Sequence, residues 1–438
     1  MSGDRHEFDP ATHYSVTTAM PDSVLHLSSV AGSPLLDSAG ERLGRVDDLV
    51  ARLDLADPLP PVMGLRASIG GRLLFVPANR IERMEPGGIH TSTTKLNLAQ
   101  FERRPGEILL RSDVLGRSLI NVNTARLVRA GEVELTHVDG AWRVAGIDPS
   151  LGARFRRLLP HRLRGEQGEG TGFVPWPELE PFVGHVPTSR LRLAHRRIAA
   201  LHPAQIADLV EAASHEEGEE ILEAVGQDKE LEADVFEELD DEHQLEFLDQ
   251  RSDREVAAVL ARMASNDAAD LLLEIKQERR LPVLDLMPLG KQRKIKGLLG
   301  YNPSTAGGVM SPDFVAVPRE ATVATAVAAA RAQDVASDSL YTILLTDPDG
   351  ALSGVVTAGQ LLRAAPDQTL DSLADSSAPS VAADAEIPEV ARLMTDYNLI
   401  SLPVVDADTR PIGVVSVDDI LELTLPEQWR RRYGLARE

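Results

Sequence analysis

The sequence predicts a multidomain chain: two small all-β barrels, an all-α superhelical solenoid and a paired α/β module. Three observations predict it. A phrase in the amino-terminal half occurs twice, an apolar pair in the middle returns every 12 residues, and the last third holds two copies of a strand–turn–strand–helix unit. The expected divisions are a flexible polar tail over 1–23, β domains over 24–100 and 101–195, a helical array over 196–302, and α/β units over 303–372 and 373–438.

The β halves rest on the duplication. Phe75-Val76-Pro77, Ile81-Glu82 and Thr91-Ser-Thr-Thr-Lys-Leu-Asn-Leu-Ala return as Phe173-Val174-Pro175, Leu179-Glu180 and Thr188-Ser-Arg-Leu-Arg-Leu-Ala. Short alternating segments precede each copy. They are Leu25–Val30, Arg45–Leu55, Val62–Ala67 and Arg72–Val76, then Ile108–Arg111, Arg126–Ala130, Val133–Val138 and Trp142–Ile147. Asp37-Ser-Ala-Gly40, Ile69-Gly-Gly71 and Asp139-Gly140 interrupt them. Short strands with tight Gly and Asp turns argue for a small barrel or sandwich, present twice. Between Gly152 and Gly172 an insert carries Arg154, Arg156, Arg157, Arg162 and Arg164, which reads either as a contact for RNA, lipid head groups or the acidic array, or as a solvated loop.

From Leu201 to Gly300 the period becomes helical. Phe247-Leu248, Val259-Leu260, Leu271-Leu272 and Val283-Leu284 follow one another at 12-residue steps, the length of one short helix and a turn. Stacked hairpins of this kind bury a continuous core that no single one can bury. Ser252-Asp253-Arg-Glu255 and Ser265-Asn266-Asp267 sit where helix caps are expected. After this array, Leu399-Ile-Ser-Leu-Pro-Val-Val-Asp, a polar turn and Gly413-Val-Val-Ser-Val-Asp-Asp-Ile form the clearer α/β copy.

Composition narrows the function. The formal charge is −23 with 4% aromatics, so nucleic-acid phosphates and anionic lipid are repelled; DNA is excluded as a general partner and RNA is disfavoured. Residues 201–280 hold 24 Asp and Glu against 7 Lys and Arg. Divalent cations are the natural counter-ligands of such crowding, although acid-rich surfaces also serve solubility alone. The absence of cysteine excludes disulfides and thiolate sites. No apolar run approaches the ~18–20 residues that span a bilayer, and the first 23 residues lack a secretory pattern, so a cytoplasmic location is expected. The 11 histidines form no His-Glu-x-x-His spacing, and Gly307-Gly308 lacks the surroundings of a phosphate loop; the chain is expected not to be an enzyme.

Several phrases resemble known families. Gly32-Ser-Pro-Leu-Leu-Asp-Ser-Ala-Gly-Glu-Arg-Leu-Gly-Arg-Val-Asp-Asp-Leu-Val resembles the opening of a PRC-barrel domain, as does Leu115-Gly-Arg-Ser-Leu-Ile-Asn-Val; the likeness covers about 24–193 and implies docking. Leu201-His-Pro-Ala-Gln-Ile-Ala-Asp-Leu-Val, Ala268-Ala-Asp-Leu-Leu-Leu-Glu and Tyr301-Asn-Pro-Ser-Thr-Ala-Gly-Gly-Val-Met resemble the amino-terminal superhelical domain of MgtE-type magnesium transporters. The last third resembles a pair of CBS domains. Together, 196–438 looks like the cytosolic regulatory half of such a transporter, without the transmembrane pore.

The CBS resemblance implies an adenine-nucleotide site such as one for ATP. In the family's Gly-h-h-Ser/Thr-x-x-Asp segment, where h is apolar, the hydroxyl meets phosphate at a helix amino terminus and the carboxylate accepts from the ribose hydroxyls. The matching residues are Gly413, Ser416 and Asp419, with Ile400 and Pro403 flanking the base. In the first unit Gly354-Val-Val-Thr357-Ala-Gly-Gln360 has Gln360 for the aspartate, so at most one site per pair is expected. Asp419 also reads as a carboxylate stabilised in a first helical turn.

The MgtE resemblance implies regulatory Mg2+ between the superhelix and the CBS pair. Asp418, Asp419 and Glu422 match the family's Asp-Asp-h-h-Asp/Glu, and Asp419 and Glu422 share a helix face. Asp267 and Asp270 are the superhelix carboxylates expected opposite them. Glu427 followed by Arg430-Arg-Arg432 departs from the family's acidic continuation, which argues against a pore-plugging metal site. The expected function is a soluble magnesium-sensing regulatory protein, homodimeric through its CBS pair and acting on a membrane magnesium transporter or another protein. The alternatives are a metal-independent scaffold and an RNA-associated factor.

Overall fold

The computed structural model describes residues 24–53, 57–92, 101–150, 173–182, 197–332 and 338–424. The expected tail over 1–23, the arginines of the 152–172 insert, most of the duplicated phrases after Thr91 and Thr188, and Glu427 with Arg430–Arg432 lie outside the described residues. The chain divides into two units, Met1–Arg197 and Ile198–Glu438.

The first unit is built from strands β1 (Val24–His26), β2 (Pro34–Leu36), β3 (Arg42–Arg52), β4 (Val62–Ile69), β5 (Arg72–Pro77), β6 (Ile81–Glu85), β7 (Gly88–Thr91), β8 (Glu107–Leu109), β9 (Ser118–Asn121), β10 (Arg126–Arg129), β11 (Glu132–Val138), β12 (Ala141–Asp148), β13 (Val174–Pro175) and β14 (Leu179–Pro181). Two hairpins turn where the sequence predicts. Gly70 and Gly71 have φ of +58° and +77°, and Asp139 and Gly140 have +51° and +74°. Two consecutive left-handed residues match the right-handed twist of the flanking strands.

The halves are interleaved. The main sheet runs β5-β4-β3-β2-β7-β6, but β8 pairs with β3, and β1 pairs with β11 in the sheet β1-β11-β12-β13. Each half therefore lends the other a strand. Asp48, fully buried on β3, holds the exchange: it accepts from the Arg111 and Ser112 amides at 2.7 and 3.0 Å and from the Ser112 hydroxyl at 2.8 Å. One core runs through both halves, with Leu27, Leu49, Ile108, Leu135, Ile147 and Leu179 in it. Segments read as strands over Leu25–Val30 and Ile108–Arg111 turn helical at Leu27 and Leu110.

The duplicated phrase keeps its shape. β5 passes through a helical turn at Ala78–Arg80 into β6, and β13 passes through Trp176–Glu178 into β14. Each copy also presses its Phe-Val against a glycine. A Cβ at Gly64 would lie 2.3 Å from the Val76 carbonyl oxygen, and one at Gly146 would lie 2.1 Å from that of Val174. Only glycine admits so close a backbone.

The second unit opens with helices α1 (Pro203–Ala212), α2 (His215–Val225), α3 (Lys229–Glu238), α4 (Asp241–Asp249), α5 (Asp253–Leu260), α6 (Ser265–Glu274), α7 (Gln277–Leu286) and α8 (Leu289–Leu298). From α3 onward they start 12 residues apart. α1 packs on α3, α3 on α5 and α5 on α7, while α4 packs on α6 and α6 on α8. The result is a two-row solenoid. All four apolar pairs of the sequence are buried, and Val235-Phe236 adds an earlier member of the series. Ser252 caps α5 in a capping box with Glu255, as its spacing predicts. Ser265 does not cap α6. Ala264 takes that place and Ser265 becomes the first helical residue, because its hydroxyl is engaged by Asp313 at 3.0 Å.

The α/β pair follows. Its first copy holds β15 (Ala316–Pro318), α9 (Val323–Ala332), β16 (Thr342–Thr346), β17 (Leu352–Thr357) and α10 (Ala358–Arg363). Its second holds β18 (Val381–Ala382), α11 (Ile387–Asp396), β19 (Ser401–Val405), β20 (Pro411–Ser416) and α12 (Val417–Thr424). Both sheets place a parallel strand beside an antiparallel hairpin, and both hairpins carry an irregularity at the same step, Leu345/Thr346 and Val404/Val405. Gly307 and Gly308 lie in a short helix, Ala306–Val309, and are fixed by packing: a Cβ at Gly308 would meet the Asn302 carbonyl oxygen at 2.3 Å.

Candidate functional site

The amino terminus of α6 is where the superhelix meets the CBS-like pair. Glu237 of α3 accepts a hydrogen bond from the Ala264 amide, occupying one donor of the helix start. Ser265 and Lys294 of α8 both donate to Asp313, which lies three residues before β15. Lys291 donates to the Met263 carbonyl oxygen. Asn266, only 7% exposed, gives its amide N–H to Asp267 at 3.1 Å, while its Oδ1 is buried with no hydrogen-bond partner.

Asp267 sits among like charges. Loss of water around it pushes its carboxyl well above the usual carboxylate range, and Glu237, Asp419, Glu422 and Asp270 push it further. Glu237 is pushed up to about 7, first by loss of water and then by Asp234 and Glu238, against the pull of the Ala264 amide and Lys291. Burial lowers the Lys291 ammonium, with Asp313, Glu237 and Asp267 opposing that shift. A carboxylate here is costly to ionise unless a cation shares the space.

Of the sequence-predicted metal residues, Asp419 and Glu422 of α12 lie near enough to Asp267 of α6 for their charges to act on it. Asp270 is exposed one turn along α6; loss of water, Glu274 and Asp241 push it up to about 6, and it faces those acids more than α12. Sequence reasoning missed Glu237, Asn266, Asp313 and the two lysines. No spacing links 237, 267 and 313; stacking of α3, α6 and α8 does.

The predicted nucleotide residues occupy the second CBS-like copy. Ser416 and Asp419 form a capping box at the start of α12: the Ser416 amide and hydroxyl donate to Asp419 at 3.0 and 2.7 Å, and the Asp419 amide returns to Ser416 at 3.1 Å. Thr357 and Gln360 make the same box in the first copy, at 2.8 and 2.9 Å. Gln360 thus replaces aspartate without loss of the cap. Gly413 lies against the chain entering the pair, where a Cβ would be 2.6 Å from the Met310 sulfur. Pro403 is buried opposite Val414, and Ile400 is half exposed, its carbonyl accepting from the Val417 amide at 2.8 Å.

Another group, Glu211, Asp240 and His243, offers three ligand atoms within 4.8 Å of one another. Its polar atoms already serve the start of α4. Glu211 accepts from the Asp240 amide at 2.9 Å, and Asp240 accepts from the His243 amide and faces its Nδ1 at 2.8 Å.

The α6 junction has the oxygen chemistry that a hard divalent cation takes, although among the described residues it is Glu211, Asp240 and His243, not these acids, whose ligand atoms converge. Its donors are all oxygen, supplied by Asp267, Asp419 and Glu422 with Glu237 nearby, and the orphaned Asn266 Oδ1 is a neutral oxygen beside them. A cation held by one or two carboxylates, keeping several waters, suits magnesium better than a soft metal.

Comparison with known proteins agrees with the architecture. Residues 201–304 match the MgtE intracellular N domain family, and 306–367 and 371–425 match the CBS domain family. The magnesium transporter MgtE of Thermus thermophilus is 31% identical over 196 residues, which is 44% of this chain and 43% of that protein. That of Bacillus subtilis is 27% identical over 194 residues, again 44% and 43%. The chain thus spans less than half the length of these curated relatives. A crystal structure of the soluble part of a magnesium transporter is similar with a TM-score of 0.49 and 25% identity, covering 52% of this chain and 90% of that one. The cytosolic domain of the Mg2+ channel MgtE in complex with ATP gives 0.49 and 28%, covering 53% and 94%. By the family matches, 201–304 is an MgtE intracellular N domain followed by a CBS pair over 306–425, and this part of the chain is related in sequence to the magnesium transporter MgtE. Among the described residues no helix is long and apolar enough to cross a membrane.

Proposed function

We propose that this chain is a magnesium-sensing regulatory protein of the cytoplasm, not an enzyme, and that its sensor is the α6 junction. The observation that supports this reading is the charge that Asp419 and Glu422 bring to bear on Asp267, across the boundary between superhelix and CBS pair. Magnesium at these oxygens supplies two positive charges that let the acidic surfaces lie together. Without it, repulsion raises the cost of the contact and the closed arrangement loses population. The PRC-like β unit would dock the partner to which this state is relayed, a membrane magnesium transporter being the one the kinship favours. A second copy of the chain is a further proposed partner, since Leu362, Leu421 and Leu423 on α10 and α12 are exposed.

Calorimetric titration of the full chain with magnesium tests this. Binding that weakens in D267N and E422Q supports it; equal heats in wild type and both variants remove it. An adenine nucleotide would share Asp419 with the cation, so ATP, ADP and AMP are titrated in chelator and again with magnesium. The capping boxes account for Ser416 and Asp419 by themselves, and nucleotide binding therefore rests on that titration.

A metal-independent scaffold is the second reading, favoured by one observation. Ser265 and Lys294 already tie the superhelix to Asp313 directly. Partners retained equally in chelator and in magnesium would support it.

A further inference from the structure

We infer that Lys291 and Lys294 are tethered counter-cations of the α6 junction, which hold part of the population closed without metal and so set how strongly the junction responds to magnesium. The inference rests on the reading of that junction as magnesium-responsive and concerns its regulation.

Both lysines come from α8, one helical turn apart, and both are half-buried. Lys294 pairs with Asp313, which is 15% exposed, and Ser265 donates to the other oxygen of the same carboxylate. Asp313 belongs to the segment leading into the CBS pair, so this contact crosses the boundary between superhelix and pair. Lys291 is held by the Met263 carbonyl oxygen just before α6, with Asp313, Glu237 and Asp267 as its acidic neighbours and Lys294 as a like charge beside it. Together the two ammonium groups bring the same charge as one magnesium ion. Because their tethers are part of the chain, they neutralise the carboxylates without drawing an ion from solution. Being held on α8, they reach Asp313 more directly than the Asp419 and Glu422 side. A cation is still needed there.

A closed state populated before metal arrives narrows the response, because magnesium shifts only what remains open. Removing the lysines makes the junction more dependent on the ion. Losing half-buried ion-pair partners shifts such an equilibrium by about tenfold or more.

The chain has no cysteine, so spin labels can be placed on L281C in α7 and E320C before α9, both exposed, without background. Distances are measured by pulsed electron resonance in chelator and in magnesium, for wild type, K291M/K294M and K291R/K294R. The expected result is a closed-to-open ratio in chelator that falls about tenfold in K291M/K294M, recovers in magnesium and stays near wild type in K291R/K294R. Identical distance distributions for wild type and K291M/K294M in chelator would overturn the inference. A Met pair that opens in chelator and stays open in magnesium keeps the lysine latch and removes the metal reading. Should the Met pair not fold, the charge swap decides: K294D opening and K294D/D313K closing again supports the latch, and a swap that fails to close overturns it.

Discussion

Thr342 and Ser401 open the equivalent strands β16 and β19 of the two CBS copies, and their hydroxyls share a buried hydrogen bond of 2.8 Å. The bond lies where the internal repeat meets itself. A hydroxyl left alone there is desolvated without a partner. T342V or S401A should each cost about 1–3 kcal/mol, whereas T342V/S401A should cost less than the sum of the two. Denaturant unfolding of the four proteins gives the coupling, and an additive result would show that the bond is not made.

The α6 junction predicts opposite effects of one substitution under two conditions. D267N removes a carboxylate that its surroundings disfavour, so in chelator it should raise the melting temperature of the carboxy-terminal half by ~2–4 °C per kcal/mol of repulsion relieved. The same change should abolish most of the stabilisation that added magnesium gives wild type. Calorimetric scans with and without magnesium check both arms; a variant stabilised by magnesium as much as wild type would remove Asp267 from the site.

Glu180 predicts a pH dependence in the β unit. Both carboxylate oxygens are buried without a hydrogen-bond partner, and burial pushes the group up to about 8, with Arg197 pulling the other way. A folded-state value raised from 4.5 means that the group's contribution is fully present below the unfolded value and is lost as pH rises through about 8. Wild type should therefore lose stability as pH rises from 4.5 to about 8 and level off above, and E180Q should flatten the curve. Parallel curves for the two proteins would show that Glu180 is not what titrates.

The helix faces of the CBS pair predict self-association. Leu362 is 88% exposed and Leu423 is 51% exposed. If a second copy covers them, L362D/L423D should shift sedimentation from dimer to monomer at micromolar concentration without changing the circular dichroism spectrum. A wild type that already sediments as a monomer would dispose of this surface.

Local signals were legible where one element satisfies itself. The 12-residue step placed the helices α4 to α7, because Phe247-Leu248 and its successors bury in the same position of each repeat. The Gly70-Gly71 and Asp139-Gly140 turns were legible because few residues tolerate consecutive positive φ. The exchange of β1 and β8 was not. Two halves with the same pattern can pair within or across the repeat, and the second is held by long-range contacts such as Asp48 with Arg111 and Ser112 and the Ser28 amide with Glu132.

The same division holds for the site. Asp419 and Glu422 follow from a motif on one helix, whereas no spacing in the array singles out the acids that face them. The repeat, the helix faces and the crowding of negative charge were readable in the chain's order, since these depend on spacing along it. Which carboxylates act on one another, the turn of Ser265 from cap to contact, and the placement of Lys291 and Lys294 among the acids came from the folded molecule. Charge interactions fall with distance through space and are indifferent to separation in sequence, so residues 237, 267, 313 and 419 became neighbours only when the solenoid stacked against the pair.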